Sequence, residues 1–277
     1  METDLKKIVN EISKVVPFEK VDQRFLSRGK IGTPVTSNNL NLIYLVTVIT
    51  ACCSILYELL LAQALSTTMG NTALRYNTTI GLYIAAMGFG ALLYKKFVKR
   101  DVLEEFVKYE LILSFIGGSA PILALVFDYA FNNIAKSSGV PYFSNWIQMP
   151  LFTLNHVLIV VIGFLSGLEL PLLIDMGKKF DKRKGSYVLA YDYFGTLIGA
   201  ILFPIMILPQ LHIFTIGYVV SAMNILVALF VMIKLKIDNN KYKLFIAVML
   251  IGWALLIFNS DTVNEMIIQK FYFGGQP

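Results

Sequence analysis

Seven apolar stretches fill most of the 277-residue chain after residue 40. Each is close to the length of about 20 residues that an α-helix needs to cross a bilayer, which restricts the fold more than any motif does. We therefore predict an all-α fold: a polytopic integral membrane helical bundle with about seven transmembrane helices. The apolar stretches are residues 41–67, 77–94, 109–131, 151–176, 187–209, 212–233 and 243–259.

Basic residues alternate in number between the segments that join these stretches. From the N-terminus onward, the segments carry seven, one, five, one, five, none, four and one Lys or Arg residues. Segments rich in Lys and Arg stay on the cytoplasmic side of a membrane. The alternation therefore predicts an integral membrane protein with a cytoplasmic N-terminus and an outer C-terminus, and the expected location is a prokaryotic plasma membrane.

Composition agrees with this class. The chain is 56% hydrophobic and only 15% charged, which is unusual for a soluble domain. The net charge of +6 comes mainly from the Lys-rich segments, where membrane orientation and anionic lipid account for it. The expected partner is the lipid bilayer and not a nucleic acid. Cys52 and Cys53 are neighbours on a predicted helix and point in different directions, so we interpret them as small packing residues.

Three regions follow from the pattern. Residues 1–40 form a cytoplasmic amphipathic N-terminal arm, because apolar residues recur at helical spacing over residues 2–15. Residues 41–260 form the transmembrane helical domain, and residues 261–277 form a C-terminal tail with an outer-surface helix. The short connection at 209–211 predicts that the fifth and sixth helices are antiparallel neighbours.

Acidic residues inside the apolar stretches are the candidate functional residues. An ionisable side chain at membrane depth is costly unless it is paired or hydrated. Glu58, Glu169 and Asp192 lie deepest along their stretches, and Tyr57 and Tyr191 precede two of them. These five residues form the candidate intramembrane polar site.

Two further residues are accessory candidates. Glu110 lies at the start of the third stretch, and this position predicts that its side chain reaches the interface. Arg75 lies in the first outer connection, too far along the chain from Glu58 for direct pairing unless the segment is broken. Three interpretations of the acids stay open: neutral carboxyls that join helices by hydrogen bonds, a cation or polyamine site, or a proton relay.

Small residues and prolines indicate how the helices pack. Gly195 and Gly199 form a G-x-x-x-G motif, and Gly81, Ala85 and Gly88 share a helix face, so both sets predict close helix packing. Proline should kink or end the fifth helix at residues 204 and 209 and should free backbone groups beside Glu169 at residue 171.

Catalytic motifs are missing from the sequence. It contains neither a phosphate-binding G-x-G-x-x-G or P-loop after a strand pattern nor a recognisable nucleophile with its base, and its two histidines lack metal-ligand spacing. We predict no catalytic residue, no cofactor and no metal site.

Several ordered motifs nevertheless resemble a known family. They are Ser54–Gln63, Met69–Tyr76, Thr79–Tyr83, the G-x-E-x-P-L-L pattern within Gly163–Leu173, and the D-Y-x-G-x-x-x-G-A-x-x-F-P pattern within Val188–Pro209. Together they resemble the N-terminal transmembrane domain of the integral-membrane spermidine synthases, in the polyamine aminopropyltransferase family. The resemblance covers about residues 40–260.

The resemblance implies a function for the chain. In that family a synthase domain with a Rossmann-like fold follows the membrane helices and transfers an aminopropyl group to putrescine, but no position here matches its catalytic residues. The expected function is a non-catalytic membrane domain that anchors or serves a polyamine aminopropyltransferase, with residues 261–277 as the truncated linker. Expected partners are a separate synthase domain, a second copy of the chain, or polyamines. The alternative is a small polyamine or cation transporter that uses the intramembrane acids. An outer C-terminus conflicts with a cytosolic synthase domain.

Overall fold

The computed structural model describes residues 37–68, 72–99, 101–180 and 185–272. The predicted N-terminal arm lies outside the described residues, except for residues 37–40, which already belong to the first helix. Within the described ranges the chain forms helices and no β-strand, so the predicted all-α helical bundle is confirmed.

Eight helices follow one another along the described chain. They are α1 (Ser37–Thr68), α2 (Thr72–Phe97), α3 (Val102–Ser138), α4 (Asn145–Phe180), α5 (Gly185–Leu202), α6 (Ile213–Lys234), α7 (Asn240–Phe258) and α8 (Ser260–Tyr272). A π-helical turn, Phe203–Ile207, and a short helix, Leu208–Gln210, prolong α5.

The first seven helices are long enough and apolar enough to cross a membrane, as the apolar stretches predicted. Helices α3 and α4 have 37 and 36 residues and begin before the apolar stretches that predicted them. Their additional turns at the ends carry polar residues, which apolarity alone does not reveal.

The helices divide into an inner and an outer group. We call α1, α3, α4 and α6 the central helices, because more than half of each apolar window is buried, up to 72% in α1. Helices α2, α5 and α7 are peripheral: α2 packs mainly on α4, α5 on α1, and α7 on α6. Their exposed faces carry large apolar side chains such as Leu92, Ile205 and Leu244, which suit contact with lipid tails.

Two glycines allow α5 to pack closely on α1. A Cβ atom at Gly195 would lie 2.3 Å from the carbonyl oxygen of Val48, and one at Gly199 would lie 2.4 Å from Cγ2 of Ile55. The G-x-x-x-G motif therefore packs α5 directly on α1, as predicted. The prediction of close packing at Gly81 and Gly88 is wrong, since no described atom lies within 4 Å of a Cβ at either position.

Prolines have different effects in α4 and α5. The fifth membrane-length segment ends at Gln210 and α6 begins at Ile213, which confirms the short connection. The prediction that these two helices are neighbours is wrong, because α5 packs mainly on α1 and α6 packs mainly on α3. Pro204 lies in the π-helical turn, where the regular hydrogen-bond ladder is interrupted. Helix α4, in contrast, continues unbroken through Pro171. The structure therefore does not contain a helix break at Pro171.

Side-chain hydrogen bonds join helices at both ends of the bundle, through Asp101 at one end and through α8 at the other. Asp101 caps α3 by accepting a hydrogen bond from the backbone N–H of Leu103 at 2.8 Å, and Lys179 at the end of α4 donates to it at 2.9 Å. At the other end, the α8 side chain Asn264 donates to Thr215 Oγ1 at 2.9 Å. The predicted helix after residue 260 is confirmed as far as Tyr272.

Candidate polar site in the central helices

Three central helices place polar side chains in the interior of the bundle. Glu110 of α3 and Asn224 of α6 are fully buried, and Glu169 of α4 is 5% exposed. We call these three residues the polar cluster. Within the described residues, both carboxylate oxygens of Glu110, Oε1 of Glu169 and both amide atoms of Asn224 lack a hydrogen-bond partner. Buried polar groups are normally paired, so the five atoms of the cluster call for an explanation, as do other buried atoms of the described residues such as Tyr218 OH and Trp253 Nε1.

Helix register places Glu110 and Asn224 at the same level. Ser114 Oγ donates to the backbone carbonyl of Ser221 at 2.9 Å, which fixes α3 against α6 at this point. Glu110 is one turn before Ser114, and Asn224 is three residues after Ser221. Because α3 and α6 run in opposite directions, both displacements lead toward the same end of the bundle.

Glu169 lies at a similar depth. At 1.5 Å per residue, Glu110 is about 12 Å from the start of α3, and Glu169 and Asn224 are about 16 Å and 15 Å from the ends of α4 and α6. The carboxyl of Glu169 is close enough to interact electrostatically with Glu110 and with Asp192 of α5. The three acids therefore form a row from the partly buried Asp192 to the fully buried Glu110.

Tyr57 of α1 borders the cluster on its other side. Its hydroxyl is 2.9 Å from Ser221 Oγ, and its ring packs on Gly117, where a Cβ would lie 2.6 Å from Cε1 of Tyr57. Tyr83 forms a second link, with its hydroxyl 3.1 Å from the carbonyl of Ser54 and 2.8 Å from Ser166 Oγ. These contacts join α1, α2, α4 and α6 beside the acids.

The structure brings together only part of the predicted site. Glu169, Asp192 and Tyr57 lie in or beside the cluster. Glu58 is buried but lies about 15 Å from the far end of α1, in the opposite half of the bundle. Tyr191 is 39% exposed and stacks on Tyr44, with 4.6 Å between ring centroids. Neither residue is part of the cluster.

The prediction that Glu110 reaches the interface is wrong. Its side chain is fully buried, because α3 begins two turns before Glu110, and the residue lies near Tyr57 of α1 and Glu169 of α4. Arg75 remains apart from the acids: its guanidinium lies 4.7 Å from the ring centroid of Phe152.

Sequence reasoning missed Asn224. Its signal is present, since Ser221 and Asn224 are polar residues at helical spacing in an otherwise apolar helix. A search restricted to ionisable residues passes over such a pair.

Positive charge is scarce around the acids. Among the buried residues of the described ranges, four are acidic and none is Lys or Arg. Glu105 is paired with Lys108, whereas Glu58, Glu110 and Glu169 have no ion pair with a basic side chain of the described residues. In the same ranges, no group of three or more His, Cys, Asp or Glu side chains is arranged to hold a metal ion.

Several curated proteins similar to this chain are named polyamine aminopropyltransferase. A polyamine aminopropyltransferase of Leptospira interrogans is 33% identical over 83% of this chain and 44% of its own length. Polyamine aminopropyltransferase 1 of Ralstonia nicotianae is 31% identical over 70% of the chain and 34% of its own length. A polyamine aminopropyltransferase of Oceanobacillus iheyensis is 27% identical over 85% of the chain and 41% of its own length.

The other comparisons found no match: no family model and no solved structure is similar to the chain. The chain spans less than half the length of these curated relatives. Over that part, the chain is related to polyamine aminopropyltransferases, a spermidine synthase-like relationship.

Proposed function

We propose that the chain is a membrane domain of a protein in the polyamine aminopropyltransferase family and that it anchors or serves the synthase without carrying out catalysis itself. One observation carries the proposal: 33% identity to the Leptospira protein extends over 83% of this chain but only 44% of that protein. The similarity therefore concerns a helical part of a longer relative.

The arrangement of the helices supports a membrane location. Seven helices have the length and apolarity of spans, and the peripheral ones expose large apolar side chains. Lysines lie in the last turns of α2, α4 and α6, which all end on the same side of the antiparallel bundle. By the positive-inside rule that side is cytoplasmic.

A segment exchange tests the proposal. In the Leptospira relative, the segment that matches this chain is replaced by the chain, and the hybrid is compared with the intact relative and with a hybrid that carries an unrelated seven-helix bundle. We expect the hybrid to remain with the membrane fraction after alkaline extraction and to retain aminopropyl transfer from decarboxylated S-adenosylmethionine to putrescine.

Each result has a defined meaning. Activity in both hybrids supports an anchoring role, and activity only in the hybrid with this chain supports a more specific service to the synthase. A folded, membrane-integrated hybrid without activity contradicts the proposal. Aminopropyl transfer by the purified chain alone contradicts the non-catalytic part.

A further inference from the structure

The central helices bury acidic side chains, but among the described residues no Lys or Arg side chain is buried with them. We propose that the polar cluster of Glu110, Glu169 and Asn224 binds one small monovalent cation, either a sodium ion or a primary ammonium group. The relationship to known proteins assigns no ligand to these residues, and the inference rests on the geometry of the bundle.

The acceptor atoms fit such a ligand. Among the described residues, Glu110 has two oxygens without a hydrogen-bond partner, and Glu169 and Asn224 each have one. Alkali cations take oxygen ligands, and an ammonium group donates three hydrogen bonds to oxygen acceptors. A cation at the common level of these residues would partner oxygens that are otherwise buried without hydrogen bonds.

Asn224 provides an observation independent of the acids. It is a neutral amide, fully buried, and both its oxygen and its nitrogen lack a partner among the described residues. Repulsion between carboxylates does not explain an unpaired amide. Its register with Glu110 across the contact between Ser114 and Ser221 directs it to the same place in the bundle.

The surrounding groups define a path to the cluster. Asp192 is partly buried on α5 and interacts with Glu169, so the proposed cation would approach from the side of Asp192. In the other direction, Tyr57 bonded to Ser221 closes the interior, with Cys53 beside it. Access from the Lys-rich end, by way of Asp192, follows from this arrangement.

Burial around the cluster favours a small ligand, because the side chains of Glu110 and Asn224 are fully buried. Two open cavities of about 530 Å³ and 500 Å³ lie near the two ends of α6. Their linings do not include any residue of the polar cluster. A bare alkali ion or the terminal ammonium of a slender amine suits the cluster better than a bulky cation such as choline.

Thermal unfolding of the full chain in neutral detergent tests the inference. At constant pH and ionic strength, choline chloride is replaced stepwise by sodium chloride in one series and by methylammonium chloride in another. We expect the midpoint to rise and saturate in at least one series, because a ligand that binds only the folded state stabilises it. The series that responds identifies the kind of cation.

Variants locate the effect. The double substitution Glu110→Gln and Glu169→Gln should abolish the rise, whereas Glu265→Gln on the exposed face of α8 should preserve it. If the double variant does not fold, Asn224→Leu replaces it, and equilibrium binding of radiolabelled sodium or methylammonium to the unmodified chain measures the stoichiometry directly. One cation per chain is expected.

Three results would overturn the inference. Equal midpoints in choline, sodium and methylammonium, together with no bound label, would exclude a cation site. A rise that persists in the double variant would place the cation elsewhere. If acidification alone stabilises the chain and the double variant removes that response without any cation effect, the carboxyls are protonated and the inference is wrong. These results do not depend on the segment exchange.

Discussion

Helix α4 contacts the rest of the bundle through two faces of different kinds. Toward α2, Gly163 and Gly167 bring two backbones together: a Cβ at Gly167 would lie 2.1 Å from the carbonyl of Met87, and one at Gly163 would lie 2.7 Å from that of Tyr83. Toward the centre of the bundle, Glu169 carries a carboxyl oxygen without a partner.

This difference separates a structural contact from a candidate site. Lipid tails are as apolar as the helix surfaces, so close packing of small residues is a main source of helix association in membranes. The face toward α2 associates through such close packing of small residues. The polar cluster provides no comparable packing gain and carries the cost of unpaired polar atoms. The first face should be sensitive to added volume and the second to the loss or gain of a polar partner.

The largest effect is expected at Gly167. Changing Gly167→Ala adds a methyl group against the backbone of Met87, which cannot move away without displacing α2. Overpacking of this kind costs about 1–3 kcal/mol. The matched control is Gly88→Ala, since no described atom lies within 4 Å of that Cβ. Unfolding in mixed detergent micelles, followed by circular dichroism, measures both variants, and equal stability would refute the backbone contact.

Asn224 should show the opposite sign. In choline buffer, Asn224→Leu replaces an unpaired buried amide by an apolar side chain of similar size, and the expected gain is about 1–2 kcal/mol, within the range of 1–3 found for unpaired polar groups in proteins. The same variant should lose its response to small cations. Asn133→Leu, at an exposed position on α3, is the control. A loss of stability in choline buffer would indicate that the amide has a partner after all.

The sequence predicts the helices better than it predicts their faces. Apolar length predicted the seven long helices, and the short connection around Gln210 was also predicted, although the two helices that it joins pack on different partners. The G-x-x-x-G motif of α5 also identified a real contact. Each of these signals is local along the chain, and local patterns survive in the fold.

Glu110 and Asn224 show where the prediction ends. Position along the apolar stretch suggested an interfacial Glu110, but helix rotation and the extra turns of α3 bury it inside the bundle. The pairing of α3 with α6 is a long-range contact that no local pattern specifies. Asn224 becomes notable only when its neighbours on other helices are known.

A smaller effect is expected at Tyr57, which packs closely on Gly117 and also borders the polar cluster. Tyr57→Phe removes the hydroxyl that lies 2.9 Å from Ser221 Oγ and preserves the ring that packs on Gly117. Interhelical hydrogen bonds in membranes contribute about 0.6 kcal/mol on average, so we expect a loss of about 0.5–1 kcal/mol. Tyr193→Phe, with a 66% exposed ring, should have no effect. A double-mutant cycle with Ser221→Ala isolates the pair, and a coupling energy of zero would contradict the bond.

Asp101 extends the comparison to the Lys-rich end, where charges are paired and exposed to water. Burial alone would raise the pKa of Asp101, but hydrogen bonds from Lys179 and from the N–H of Leu103 lower it below its ordinary value. Because the pKa is lower in the folded state, the stabilisation is present above the unfolded pKa, about 3.9, and is lost as the pH falls through the folded value.

The substitution Asp101→Asn should therefore show a small effect that depends on pH. Asparagine caps a helix about as well as aspartate, so the variant isolates the ion pair with Lys179. Since both side chains are more than a third exposed, we expect a loss of only a few tenths of a kcal/mol near neutral pH. Unfolding midpoints of the two proteins should converge below the folded pKa. A difference that stays constant with pH would mean that the carboxylate charge of Asp101 does not contribute. The contact between Asp101 and Lys179 would then depend on shape alone, as the glycine contacts of α4 do.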